Sequence, residues 1–248
     1  MLRNIRGFFI RKKDAGRVYL WVYICLNTFY VYPVFAIFKL PINFLYSLYL
    51  TNRLCGFSVL PRVYFSAEIF RVKVTKARGA IVQSASKNIF IFENWLGGDE
   101  AACIHLETAS ALHVINEFHL GDGCKIHLQK GGVLTLGGKS STQISGMTCK
   151  SIILCSSNVK VGEGTIISWG CYITDSTQHS INGAVKVAPV YIGSHVWISE
   201  GVTCAPGANV GAGCIIGSKS YVNKTFGTAN FIAGAPAAVL KNNVIWHR

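Results

Sequence analysis

The feature that most constrains this chain is a period of six. Reading from Ile192, the sequence divides into IGSHVW, ISEGVT, CAPGAN, VGAGCI and IGSKSY, so apolar or small residues recur at 192, 198, 204, 210, 216 and 222. The fifth place of each unit is again small: Val196, Val202, Ala208, Cys214 and Ser220. An independent block keeps the step through Cys149, Cys155, Val161, Ile167 and Ile173, and a shorter one runs Val114, Leu120, Ile126. Six is neither the 3.6 of a helix nor the 2 of a simple strand. Its physical reading is a triangular prism. One apolar residue per short strand points inward, a small residue turns each corner, and three units close one coil that hydrogen-bonds to the next. Each buried aliphatic contributes roughly 1.5–3 kcal/mol, so a charge at an inward position would be ruinous.

This reading predicts a mainly β chain, a parallel β-helix from about Leu120 to Val222. Residues 56–110 alternate in RVYF and FRVKV and are expected to supply irregular strands and the first imperfect coils, in a register that the sequence leaves open. The repeat domain is expected over 111–248, behind a basic and apolar segment over 1–55.

Between Ile173 and Ile192 the count is 19, one more than three units, so the repeat is expected to break there. The segment 174–190 carries Asp175 and His179. A neutral imidazole titrates in the range that suits a general base. Taken alone, a single loop histidine is equally a solvated surface residue, and Asp175 is either a ring-orienting partner or a hydrogen-bonded turn residue. His195 falls on a solvent-facing repeat position and is read as having no role; His105, His113, His119, His127 and His247 show no recognisable setting.

The repeat together with PVYIGSHVWISEGVTCAPGANVGAGCIIGSKSYVNKTFGTANFIAGAPAAVLK resembles the hexapeptide-repeat acyltransferases, in particular the maltose, galactoside and surface-polysaccharide O-acetyltransferases. The resemblance covers about residues 105–245 and rests on the Ile-Gly-x-x-Val-Trp-Ile opening, the Pro-Gly, the following glycine-rich coil, a Lys and the closing Ala-Gly-x-Pro-Ala. It implies a left-handed coil, which spacing alone does not show, despite the usual right-handed crossover. It also implies transfer of acetyl from acetyl-CoA to a sugar hydroxyl, with His179 as general base and Asp175 beside it. A homotrimer is implied, with the cofactor in the groove between two subunits. Gly217 and Ser218 match positions along the cofactor arm, Lys224 and Lys241 are candidates for its phosphates, and Trp197 and Trp169 for the acceptor pocket. Ser199 and Ala238 depart from the family pattern, standing where relatives carry Gly and, in some, Arg. Two rival functions remain open at this point: N-acetylation of an amino sugar or a small acceptor such as serine, and a noncatalytic β-helix scaffold. A zinc hydration enzyme of the same coil would need two further ligands near His179, which the repeat does not supply, so no metal is expected.

Nearly all of the net positive charge sits at the front. Residues 1–80 hold 13 Lys/Arg against Asp14 and Glu68, and the remainder 11 against 9. With the uncharged, aromatic-rich Val18–Phe38 beside it, this basic segment points to an anionic membrane surface and away from nucleic acid. Pro33 interrupts the stretch, and acetyl-CoA is cytosolic. The expectation is therefore a surface or re-entrant anchor on the cytoplasmic face, with a helical cap on the β-helix as the alternative. Nine cysteines, several on repeat positions and none in CxxC, are read as free buried thiols.

Overall fold

A computed structural model describes residues 36–65, 72–93, 100–180 and 182–247. The chain forms the expected prism. Strands build three sheets of nine, seven and seven members, each coil contributing one strand to every face. Among the described residues all pairings between coils are parallel, and the one antiparallel ladder joins Phe231–Gly234 to Ala237–Lys241 and finishes the first face.

Vertical registry shows why period six gives this fold. On the first face Ile167 stacks on Ile198, which stacks on Ile216. On the second, Ile173 pairs with Cys204 and Cys204 with Val222; on the third, Val161 pairs with Ile192 and Ile192 with Val210. Every one of these side chains is at most 2 % exposed. The corner residues Val196, Val202, Ala208, Cys214 and Ser220 are buried as well, because a small side chain is what fits where two faces meet. Cys149 departs from the expected column: it is half-buried and lies outside any strand, and Met147, paired to Ile167, takes the inward first-face position instead.

The coils begin at Val63, well before Leu120, with Val63 paired to Phe90 and Ile81 to Ala111. Here the inward column is aromatic, with Phe65 stacked on Phe92 at 5.5 Å, and longer corners separate the strands.

The open end of the prism is closed by a helix, α1 (Ala36–Cys55). Leu50 and Leu54 bury against the first coil. Thr51 Oγ1 donates to the Ser47 carbonyl (2.7 Å) and accepts the Arg62 and Val63 amides (2.9 and 3.2 Å), satisfying backbone donors at the start of the first strand. The Tyr46 hydroxyl donates to the Val72 carbonyl (3.0 Å) and Lys76 Nζ to that of Leu54 (2.6 Å). The helix stops at Gly56, whose φ of +88° is the left-handed conformation that glycine reaches without penalty. The described helix is thus a cap on the β-helix. Among the described residues no helix is long and apolar enough to cross a membrane. The stretch Val18–Tyr32 lies outside the described residues.

The eight cysteines among the described residues are free. Burial pushes the thiols of Cys124, Cys155 and Cys204 up to about 12, so they remain protonated and unreactive.

Candidate functional site

The break in the repeat is a single insertion at one edge. Crossing from the second to the third face takes six residues between Cys204 and Val210, whereas Ile173 to Ile192 takes 19. The excess therefore sits in one corner and is not distributed over three units. The inserted loop is a small hairpin. Ser176 bridges Val187 antiparallel, the Thr177 amide donates to the Lys186 carbonyl (3.0 Å), and the Ala188 amide to that of Asp175 (2.9 Å).

Asp175 anchors its root. The carboxylate is fully buried and accepts the backbone amides of Ser156, Ser157 and Asn158 at 2.7, 2.7 and 2.6 Å, with the Cys155 thiol at 3.7 Å. These are charge-assisted bonds to the corner of the preceding coil. The geometry is that of a turn-holding residue, and its influence on His179 runs through the loop.

His179 is exposed at the hairpin, its amide donating to the Thr177 carbonyl (2.7 Å) and its own carbonyl accepting the Thr177 hydroxyl (3.0 Å). The adjacent Gln178, at φ +61°, locks this tip to the preceding coils. Its Nε2 donates to Ser156 Oγ (3.0 Å), its Oε1 accepts Gln129 Nε2 (2.8 Å), and Ser156 donates to Gln129. Sequence inspection misses this Gln129–Ser156–Gln178 clamp, because its members come from three coils.

A groove of about 900 Å³ opens on a different edge, between the first and second faces. It gathers five of the expected site residues: Trp169, Trp197, Gly217, Ser218 and Lys241. The two indoles are 48 % and 40 % exposed, so each presents a face to the groove, and Trp197 Nε1 donates to Ser168 Oγ (3.4 Å). Gly217 is small for a reason: an added Cβ would lie 3.0 Å from the Ala233 methyl and 3.4 Å from the Phe231 ring. Ser199, a departure from the family pattern, also lines the groove.

One wall is formed by Asn243–Ile245 of the closing segment. Trp246 pins that segment, stacking on His195 at 4.2 Å while its Nε1 donates to the His195 carbonyl (3.0 Å). His195 Nε2 lies 3.2 Å from the Trp246 carbonyl, so this histidine is a fastening, contrary to the expectation that it has no role.

Within one chain the groove and His179 do not meet. His179 and Lys224 lie on the edge between the second and third faces, whereas the groove is on the edge between the first and second. Lys224 therefore parts from Gly217, Ser218 and Lys241; its Nζ sits 5.5 Å from the centre of the Phe226 ring.

A three-sided parallel coil with one interrupted corner and a lateral groove defines a hexapeptide-repeat β-helix protein, and the likeness to the hexapeptide-repeat acyltransferases extends to named relatives. No family model matches the chain. It is 30 % identical over 98 residues to WbbJ of Escherichia coli (strain K12), provisionally assigned as a lipopolysaccharide biosynthesis O-acetyl transferase, covering 34 % of this chain and 50 % of that one. It is 31 % identical over 88 residues to WcaF of the same organism, provisionally assigned as a colanic acid biosynthesis acetyltransferase, covering 35 % and 48 %. The match thus spans about half the length of these curated relatives. Among solved structures, the polysialic acid O-acetyltransferase OatWY aligns over 72 % of this chain and 89 % of its own, at 18 % identity and a TM-score of 0.43.

Proposed function

We propose that this protein is an acetyl-CoA-dependent O-acetyltransferase acting on a sugar hydroxyl of a surface polysaccharide or its lipid-linked precursor. The observation that carries the reading is the interrupted corner, which presents His179 on one edge of the prism while a groove with two exposed indoles and Lys241 occupies the next. In a ring of three copies, the His179 edge of one protomer faces the groove edge of its neighbour, and a closed cyclic assembly repeats that junction three times. The relatives assigned to lipopolysaccharide and colanic acid biosynthesis support the carbohydrate acceptor.

In this arrangement the pantetheine arm of acetyl-CoA lies along the groove beside Gly217 and Ser218, where the missing and short side chains let it approach the backbone. Lys241 meets a phosphate from the groove, Lys224 supplies a second charge from the His179 edge, and the indoles of Trp169 and Trp197 offer apolar faces to a sugar ring. His179 takes the proton of the acceptor hydroxyl as its oxygen attacks the thioester carbonyl. Backbone N–H groups stabilise the tetrahedral oxyanion. Collapse breaks the C–S bond, and the imidazolium returns the proton to the leaving thiolate. Asp175 and Gln178 act as positioning residues, fixing the loop that carries the base. This chemistry requires no metal.

The acceptor class fits the capped end. Ile42, Leu45 and Tyr49 of α1 and Phe57, Val59 and Leu60 just after it are exposed, giving an apolar end within the basic first third of the sequence. We place the enzyme at the cytoplasmic face of an anionic membrane, where a lipid-linked acceptor would be presented. Release from membranes by high salt alone, without detergent, would oppose an inserted anchor.

The test is thiol release from acetyl-CoA with a panel of sugar acceptors. A positioned general base contributes a factor of about 10² to 10⁴, so His179→Ala should retain its fold and lose activity by that factor. Equal release by the variant would overturn the mechanism. Release only with amino sugars or serine would favour N-acetylation or a small acceptor, and no release with any acceptor would favour a scaffold.

A further inference from the structure

Three side chains that the acyl-transfer reading leaves unused converge on the outside of the second face, in the second and third coils. His105 and His127 are register partners in adjacent parallel strands, so the ladder itself stacks one imidazole over the other. Their rings meet edge to face at 4.6 Å between centres. Glu107 lies two residues beyond His105, on the same outward side, with Oε1 at 2.8 Å from His127 Nε2. One donor atom from each of the three lies within 4.8 Å of the other two, and among the described residues this is the one group of three such donors so placed.

We propose that His105, Glu107 and His127 form a binding site for a divalent transition metal of the zinc class, cross-linking the second and third coils. Two imidazoles and one carboxylate are the donor types that first-row metals prefer, whereas magnesium and calcium favour all-oxygen shells. Zinc–ligand bonds of about 2.0–2.2 Å in a tetrahedron put ligand atoms roughly 3.4 Å apart, and the three side chains, exposed or half-buried, can close to that separation by side-chain rotation.

The surroundings are those of an oriented site. Glu107 Oε2 accepts the Lys130 amide (3.0 Å), leaving Oε1 for the metal. His105 Nδ1 is hydrogen-bonded to the Thr75 hydroxyl of the first coil, which leaves Nε2 as its ligating atom. Partners of this kind fix the tautomer and direction of a ligating imidazole. A depression of about 320 Å³ adjoins the cluster and is bounded by Arg53 and Lys76 as well as by His105 and Glu107. The remaining coordination position therefore opens beside two cations and would take water or an anionic co-ligand.

The test uses the full chain, stripped with a chelator and titrated with Zn²⁺ alone in competition with a chromophoric chelator. The expected result is one equivalent bound per chain. His105→Ala and His127→Gln should each weaken that equivalent by more than about 100-fold, beyond the range of losing a supporting partner. Thr75→Val, which keeps all three ligands, should weaken it about tenfold and guards against variants that fail to fold. His179→Ala should leave it unchanged. Absence of Zn²⁺ binding by the parent chain, or binding unaffected in both histidine variants, would overturn the proposal.

Discussion

Asp175→Asn separates the anchoring role from direct participation in catalysis. In the native chain Oδ1 accepts the Ser156 amide and Oδ2 those of Ser157 and Asn158, all within 2.7 Å. An asparagine keeps one acceptor oxygen and turns an NH₂ group toward the other donor set. In its better orientation it retains two bonds, loses the one from Ser156 and leaves buried donors facing each other. A lost hydrogen bond to a charged group costs about 1.5–3 kcal/mol, and an unsatisfied buried donor about 1–3. A net loss of about 3 kcal/mol is expected, corresponding to a Tm lower by roughly 6–12 °C for a chain of this size. Locally the same loss should speed hydrogen exchange at the 156–158 amides by about a hundredfold, while amides of the closing coils stay protected. Activity should fall with the loosened loop and the pH profile should keep its shape. Unchanged exchange at these amides, or a loss of activity near 10⁴ with Tm unaltered, would refute anchoring and return Asp175 to the role of His179's direct partner.

Three further outcomes are expected. His119 is buried between Glu93 and Glu117, at 3.3 and 3.4 Å; burial alone would lower its pKa, but the two carboxylates together raise it from 6.5 to about 9. Because the folded value exceeds the unfolded one, the protonated cluster contributes stability fully below pH 6.5 and loses it as pH rises through about 9. That loss is on the order of 3 kcal/mol, it should appear in denaturant titrations across this window, and it should be absent in His119→Gln. Ile216→Ala, between Ile198 and Ile232 in the first-face column, should cost about 2–5 kcal/mol through lost burial and the cavity left behind, and an unchanged denaturation midpoint would contradict its inward placement. Gly217→Leu should raise the KM for acetyl-CoA well above that of the parent, because it adds bulk to the groove wall beside Phe231; an unchanged KM would remove Gly217 from the cofactor path.

The closing coils were legible because their inward residues are aliphatic and the step of six is unbroken from Ile192 to Val222. The first coils were not, since phenylalanines fill their axis and long corners hide the period: Val63 and Phe90 are register partners separated by 27 residues. Contacts that depend on coil stacking were equally hidden. His195 finds Trp246, 51 positions away, only after the closing hairpin turns back. The His105–His127 pair exists only because one coil there happens to take 22 residues. At the candidate site, motif positions supplied candidate residues, but their distribution over two prism edges was not legible: which corner a residue occupies depends on the insertion lengths of the coils before it. That distribution separated Lys224 from Gly217, Ser218 and Lys241, and under the proposed function it calls for a second copy of the chain to complete the site.

Complementation between two inactive chains tests that central claim most directly. His179→Ala keeps the groove and Gly217→Trp keeps the base; each should be inactive as a homo-oligomer. Co-expressed at equal levels and purified through two different tags, they should regain about one third of parental activity, since every mixed trimer holds one junction of its three that pairs an intact His179 with an intact groove. Mixed oligomers without activity, or a fully active isolated monomer of the parent chain, would contradict a site shared between neighbouring copies.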